Sequence, residues 1–201
     1  MDTIFLIIVL ILSVVVHEVT HGFVADRLGD PTARLAGRLT LNPIKHLDPF
    51  GSVILPLLLA ILPGSFIFGW AKPVPYNPYH LKNPERDAAL IAIAGPLSNL
   101  LIAAIFGALV RISIVVNVPI LAATYPLFAM IVWVNVILAV FNLVPLPPLD
   151  GSKVLFALLP RSAYQMRAFL ERYGMILLVF FIFFGFRIIT PIINFLFELL
   201  I

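Results

Sequence analysis

The chain has 201 residues, of which 62% are hydrophobic and 11% are charged, and its formal net charge at pH 7 is +3. Soluble domains carry about a quarter charged residues, so this composition indicates a membrane protein. The lysines and arginines are scattered between apolar segments, which argues against a nucleic-acid partner, and the absence of cysteine excludes disulfides and thiolate metal ligands.

Five apolar stretches are long enough to enter a bilayer. They run from about Ile4 to Leu28, from Phe50 to Trp70, from about Ala88 to Val110, from near Pro126 to Leu149, and from Gly174 to Ile201. The first lacks a basic flank and a cleavage site, so we interpret it as a retained spanning helix rather than a signal peptide. Thr190 and Pro191 predict a kink in the last. One membrane domain, residues 1–201, accounts for the whole chain.

A polar segment, residues 29–49, separates the first two apolar stretches. Partial alternation around Leu35, Leu39 and Leu41 predicts short β-strands at the membrane surface. Residues 70–78, with the sequence WAKPVPYNP, are too rich in proline to be helical and predict an extended connector.

The second apolar stretch decides the topology. If it spans the membrane, the basic residues divide almost evenly between the two faces. If it is re-entrant, as its prolines would allow where protein shields the backbone, they all lie on one face except Arg111 and Arg187, which falls inside the last span. The positive-inside rule favours the second arrangement and makes the basic face cytoplasmic. We therefore predict an all-α polytopic membrane protein with four transmembrane helices, a re-entrant segment and a short membrane-surface β element, in the plasma membrane of a prokaryote.

The first apolar stretch contains an H-E-x-x-H motif, from His17 through Glu18 to His21. Histidines four residues apart share one helical face, so both imidazoles can bind a single ion, and Glu18 lies close enough to contact a water molecule without being a ligand. His17 lies about 20 Å along its helix, nearer the cytoplasmic end. A central carboxylate in a span costs roughly 2.5–3.5 kcal/mol, which argues against the alternative of a chance motif satisfied by helix–helix hydrogen bonds.

A catalytic zinc ion takes three protein ligands and keeps one position open for water. Among the acidic residues, only Asp150 lies at an apolar helix end within a distinctive motif, residues 142–151 with the sequence NLVPLPPLDG. The prolines of this motif predict local unwinding around a cavity. With a re-entrant second stretch, Asp150 reaches the same face as the two histidines. Asp150 could alternatively cap the helix that follows it.

Together these motifs resemble the site-2 protease family of intramembrane metalloproteases. The resemblance covers nearly the whole chain and rests on the H-E-x-x-H motif and on residues 29–32 (GDPT), 94–99 (AGPLSN) and 142–151. It implies a core made of the first, third and fourth spans. It also implies one Zn²⁺ per chain held by His17, His21 and Asp150, with Glu18 as catalytic acid/base and Asn142 as a substrate or oxyanion contact. Unlike many relatives, the chain has no span before the H-E-x-x-H helix and no room for a PDZ or CBS domain.

The predicted function is hydrolysis of peptide bonds in or near transmembrane segments of membrane-protein substrates, within the lipid bilayer. Alternatives are an inactive zinc-binding scaffold, a metal transporter, or a protease that cleaves at the membrane surface. The presence of Glu18 beside a complete ligand set argues against the scaffold. The outer half of the first helix, residues 4–16, offers only Ser13 as a polar path, which argues against the transporter.

Several other polar residues have simpler interpretations. Asn142 could bond a neighbouring helix, and Asn99, with Gly95 and Pro96, is interpreted as a packing and kink element rather than as a catalytic group. His46 and His80 lie in polar connectors and are interpreted as surface residues without a role at the metal.

Overall fold

The fold is described from a computed structural model that covers residues 2–54, 58, 71–116 and 119–201. Within these ranges, four helices are long and apolar enough to cross a membrane: Thr3–Arg27, Pro84–Val115, Thr124–Asn142 and Tyr164–Leu200. This confirms the prediction of an all-helical integral membrane protein, and the described residues contain the four predicted transmembrane helices.

Six helices organise the described residues. They are α1 (Asp2–Arg27), α2 (Pro84–Val116), α3 (Pro119–Asn142), α4 (Asp150–Leu158), α5 (Tyr164–Phe180) and α6 (Phe186–Leu200). A π-helical segment, Phe181–Gly185, joins α5 and α6 into one continuous span. Shorter turns occupy Thr32–Leu35, Pro43–His46, Pro49–Ile54, Pro78–His80 and Arg161–Ala163.

The core of the fold is the group α1, α2 and α3, as the family resemblance implies. Helix α2 packs against both α1 and α3 and also contacts α4, while α3 contacts α6. The main apolar cluster joins one face of α3 to the last span, through Val132, Val136, Val140, Leu178, Ile189 and Ile193. This packing fixes the end of α3, and with it the start of α4, beside α1 and α2.

Helix α3 ends at Asn142, seven residues before the predicted end of its apolar stretch at Leu149. The residue before a proline is disfavoured in helical conformation, so Pro145 stops the helix. Residues 143–149 fold into compact turns, with Leu146 N donating to Val144 O at 2.8 Å. The predicted local unwinding is confirmed. A Cβ atom at Gly151 would lie 2.6 Å from Val144 O, so these turns require a glycine there.

The last span changes from α-helix to π-helix at Phe181–Gly185, before the predicted kink at Thr190 and Pro191. Helix α6 continues through Pro191. The hydroxyl of Thr190 donates to Phe186 O at 3.0 Å, as is common for threonine inside helices.

The structure does not show the predicted surface strands in residues 34–42. Thr32–Leu35 is a helical turn, and Leu35 and Leu41 are 80% and 63% exposed, so the alternating leucines do not share a buried face. Instead of a backbone ladder, the Arg38 side chain donates to Lys72 O at 2.7 Å. Residues 71–77 form the predicted extended connector.

The predicted re-entrant segment, Phe50–Trp70, lies mostly outside the described residues. Its first residues, 50–54, belong to the π-helical turn Pro49–Ile54.

Candidate metal centre

The structure brings together the three predicted ligands. His17 and His21 lie one turn apart on α1, and Asp150 is the first residue of α4. Asp150 Oδ2 lies 3.0 Å from His17 Nε2 and 3.1 Å from His21 Nε2, and the two Nε2 atoms are 3.0 Å apart. The three side chains are at most 12% exposed, so the cluster is inside the helix bundle.

The hydrogen bonds of the two imidazoles show that the cluster fits a cation. His21 Nδ1 donates to Ile91 O at 2.7 Å, and His17 Nδ1 donates to Asn99 Oδ1 at 2.6 Å. Because Nδ1 of each neutral ring carries the hydrogen, each Nε2 presents a lone pair. Two lone pairs and a carboxylate oxygen about 3 Å apart repel one another unless a proton or a metal cation lies between them. Two imidazoles and a carboxylate are a ligand set of catalytic zinc.

A buried chain of amides stands behind His17. Asn99 Nδ2 donates to Asn135 Oδ1 at 2.9 Å and to Ser13 O at 3.3 Å, which fixes the Asn99 amide with its oxygen towards His17. Asn135 Nδ2 in turn donates to Ser13 Oγ at 2.9 Å. Both asparagines are fully buried. The interpretation of Asn99 as packing alone was therefore incomplete, and Asn135 was missed, although an asparagine inside a span is itself a signal.

Gly95 of α2 lies directly against the imidazoles. A Cβ atom there would be 2.5 Å from His21 Nε2 and 2.6 Å from His17 Cε1. Only a residue without a side chain allows α2 to approach α1 at this level. The sequence placed Gly95 in a packing and kink element, and the structure shows that the packing it permits is packing against the candidate ligands.

Glu18 is held by the connector. Its Oε2 accepts a hydrogen bond from Val74 N at 2.8 Å. Val74 reaches α1 because Gly22 leaves room, since a Cβ at Gly22 would lie 2.7 Å from Val74 Cγ1. The Arg38 side chain also holds the connector in place, because it donates a hydrogen bond to Lys72 O, two residues before Val74.

A cavity of about 370 Å³ opens beside the cluster. Its lining includes the three candidate ligands together with Glu18, Pro73, Val74, Pro75, Tyr76, Ile91, Asn142, Pro148 and Lys153. Asn142 Nδ2 donates to Leu138 O of its own helix at 2.9 Å, and no hydrogen bond joins its amide to another helix among the described residues. Lys153 Nζ lies 3.8 Å from Asp150 Oδ1 and 5.3 Å from the centre of the Tyr76 ring.

Asp150 does not act as a helix cap. The N-cap residue of α4 is Leu149, and no side chain caps that end. The carboxylate instead points to the two imidazoles from the first turn of α4, where the helix dipole favours a negative charge.

The two remaining histidines lie apart from this cluster. The prediction that His46 is a surface residue was wrong, because its side chain folds back to donate from Nε2 to Thr40 O at 2.8 Å and the residue is 1% exposed. His80, whose side chain is 46% exposed, donates from Nδ1 to the buried Asp30 Oδ1 at 2.8 Å. Among the described residues, the group able to hold a metal is His17, His21 and Asp150.

Comparison with known proteins identifies relatives over nearly the whole chain. The profile of peptidase family M50 matches residues 5–124 and 112–185. YwhC of Bacillus subtilis (strain 168) is 39% identical over 198 residues, covering 94% of this chain and 86% of YwhC. Rip2 of Mycolicibacterium smegmatis is 30% identical, covering 92% of this chain and 66% of Rip2, and Rip2 of Mycobacterium tuberculosis is 32% identical, covering 72% and 53%. These relatives are provisionally named zinc metalloproteases. No solved structure matches the chain.

The family match and the geometry of the site agree. The matched residues include the H-E-x-x-H motif and Asp150, which the fold brings to one point. The zinc named for the relatives suits the two imidazoles and one carboxylate found here. The chain belongs to peptidase family M50, the site-2 protease family of intramembrane zinc metalloproteases.

Proposed function

We propose that His17, His21 and Asp150 bind one Zn²⁺ per chain, and that Glu18 is the acid/base that cleaves a peptide bond in or near a transmembrane segment of a membrane-protein substrate. The observation that carries this proposal is the meeting of two Nε2 lone pairs and Asp150 Oδ2 within about 3 Å, in a cavity that Glu18 also lines. When bound, zinc supplies a Lewis acid that acidifies water and polarises a peptide carbonyl.

In this proposal, Glu18 moves the proton. One carboxylate oxygen, Oε2, is fixed by Val74 N–H, and the other has no hydrogen bond from the described residues. The second oxygen can therefore take a proton from the water whose oxygen attacks the carbonyl carbon. When the C–N bond breaks, the same carboxyl group returns that proton to the leaving amine.

Asn142 is the proposed substrate contact. Its amide nitrogen has two hydrogens and gives one to Leu138 O, while the second has no acceptor among the described residues and can bind a substrate carbonyl oxygen or the negative charge that develops on it. Its position on the cavity wall, on the last residue of α3, supports this role.

The proposed site lies near the cytoplasmic side of a prokaryotic plasma membrane, in a single domain with a re-entrant second stretch. Asp30, just after α1, accepts hydrogen bonds from Asn77 N and His80 Nδ1, just before α2, so the chain between these helices starts and ends at one side of the bundle. Arg167 Nη1 binds Glu85 Oε1 at 2.9 Å at the start of α2 and α5. The positive-inside rule assigns this basic end to the cytoplasm.

Glu18→Gln tests the proposal. We expect the purified variant to keep one zinc ion per chain, because Glu18 is not a ligand, but to cleave a labelled single-span substrate at least about 100-fold more slowly. Zinc content is measured by metal analysis and cleavage by gel assay in proteoliposomes. His17→Ala should lose both zinc and cleavage. Glu85→Gln, which changes an exposed glutamate paired with Arg167, should keep both. Normal cleavage by Glu18→Gln would contradict the proposed base.

A further inference from the structure

The last transmembrane helix carries a polar face that no described residue covers. Arg187, Asn194 and Glu198 are seven and four residues apart, so they lie close to one line along α6. All three are exposed, and none has a hydrogen bond or ion pair to the described part of the chain. A different side of the same helix, with Ile189 and Ile193 at 6% and 2% exposure, packs into the core.

The depth of this face follows from a contact at the outer end of the bundle. Arg111 Nη2 of α2 donates to Leu199 O at 2.5 Å, so Leu199 lies at the same depth as Arg111. Outside the last span, Arg111 is the one basic residue that the proposed topology puts on the outer side. Arg187 is twelve residues earlier, or about 18 Å deeper along the helix. Since the hydrocarbon core is about 30 Å thick, Arg187 lies near its middle and Asn194 lies about 8 Å below the level of Leu199.

The surroundings of Arg187 are apolar. Phe183, Phe184 and Ile188 are each about 70% exposed, as expected for a surface that contacts lipid or another helix. The residues that line the cavity beside the candidate ligands all lie between positions 17 and 153 of the chain. Arg187 does not belong to that cavity. A charged side chain at this depth is costly and normally pairs with another polar group.

We propose that the face formed by Arg187, Asn194 and Glu198 docks a transmembrane helix of another protein. That helix carries an aspartate or glutamate level with Arg187 and an amide or hydroxyl side chain level with Asn194. The charge of the face selects this occupant, because a guanidinium group pairs with a carboxylate through two parallel hydrogen bonds. Glu198, at the membrane surface, favours a basic residue at the outer end of the same partner helix.

The two other possible occupants fit less well. Two copies of this chain share one orientation in the membrane, so a two-fold axis would place Arg187 opposite Arg187 and Glu198 opposite Glu198. A lipid phosphate would have to reach Arg187 near the middle of the bilayer, which requires local thinning of the membrane.

Designed helices of known sequence test the proposal. The probes are synthetic leucine–alanine transmembrane helices that carry aspartate, leucine or lysine at the level of Arg187, and their association with the full chain is measured by energy transfer in phosphatidylcholine vesicles. The chain carries Glu18→Gln, so that the readout is binding and does not depend on the proposed catalytic function. We expect the aspartate probe to associate about tenfold more tightly than the leucine probe.

Variants of the chain assign the preference to Arg187. Arg187→Leu, which makes the span more apolar and should insert normally, is expected to abolish the preference for aspartate. Arg187→Glu should transfer it to the lysine probe. Arg172→Leu, at an exposed arginine on α5 near the basic end of the same span, should leave the preference unchanged.

Three results would overturn the proposal. The first is equal association of all three probes with the parent chain. The second is self-association of the chain that is lost in Arg187→Leu, which would give the face to a second copy. The third is binding of anionic lipid to the chain that requires Arg187, together with no preference for the aspartate probe. That result would assign the face to a lipid headgroup.

Discussion

At the scale of single residues, the two histidines proposed as ligands differ in what orients them. His21 is held by a backbone carbonyl, Ile91 O, which no substitution removes. His17 is held by the side chain of Asn99, whose own orientation depends on Asn135. An asparagine amide can turn through 180°, and the wrong orientation would present a donor to His17 Nδ1 and favour the tautomer that cannot bind metal through Nε2. Of the two proposed histidine ligands, His17 is therefore the one whose geometry can be altered from a distance.

Asn135→Ala should weaken zinc binding without touching a ligand. The substitution removes the acceptor that holds Asn99 Nδ2, so the Asn99 amide gains freedom to turn. Loss of a group that orients a metal ligand costs about 10- to 100-fold in affinity, and because Asn135 acts through Asn99 we expect about tenfold. Zinc affinity is measured by competition with a chromophoric chelator in detergent.

Ser113→Ala is the matched control for Asn135→Ala. Ser113 is also buried in a span, at 2% exposure, but its hydroxyl donates to Val110 O of its own helix, far from the ligands in sequence. It should keep the parent zinc affinity. If Asn135→Ala folds with the parent melting temperature and binds zinc equally well, the amide chain does not orient His17.

At the scale of elements, one buried carboxylate ties the connector to the end of α1. Asp30 is fully buried and accepts hydrogen bonds from the backbone and hydroxyl groups of Thr32, from Asn77 N and from His80 Nδ1. Residues 29–32, one of the motifs behind the family resemblance, thus close the loop that carries Val74 to Glu18. The role of this motif is to hold the loop in place, and it affects the candidate metal site only by positioning the connector.

Asp30→Asn should destabilise the protein, and the difference should shrink in acid. Burial would raise the pKa of Asp30, but the hydrogen bonds from Thr32, Asn77 and His80 outweigh it and hold that pKa below its usual value of 3.8. Folding therefore favours the charged form, which contributes stability at neutral pH and loses it as the pH falls below about 4. Loss of bonds to a charged group should cost about 1.5–3 kcal/mol at pH 7. Thermal unfolding in detergent at pH 7 and pH 3 measures both effects.

Asp26→Asn provides the comparison for Asp30→Asn. Asp26 pairs with the largely exposed Arg34 at 3.2 Å, and such a pair contributes at most about 1 kcal/mol. We expect little change in melting temperature from this substitution at either pH. If the difference in melting temperature between the parent and Asp30→Asn is equally large at pH 3 and pH 7, the carboxylate charge is not what stabilises the loop.

At the scale of the whole molecule, the sequence predicted the four spans and the grouping of His17, His21 and Asp150, but not what surrounds that group. Long apolar runs and an i, i+4 pair of histidines are local patterns, and charge bias supplied the topology that joined them to Asp150. The bond between Asn99 and Asn135 joins residues on different helices and has no local pattern. The alternating leucines of residues 34–42 predicted a strand. Alternation alone does not show whether a second strand is present to pair with it, so the prediction failed. Helix α3 ended early because three prolines outweighed continued hydropathy.

The side on which the chain enters and leaves its second apolar stretch can be measured directly. The protein contains no cysteine, so single substitutions provide unique labels. Arg27→Cys and Lys82→Cys flank the stretch at exposed positions, and Val115→Cys, at 82% exposure, marks the outer end of α2. If the stretch is re-entrant, an impermeant thiol reagent added to intact cells should label position 115 at once, and positions 27 and 82 only after the membrane is permeabilised.

Labelling of 27 and 82 from opposite sides would place a single crossing between them. Asp150 would then emerge across the bilayer from His17, and the three proposed ligands could not share an ion.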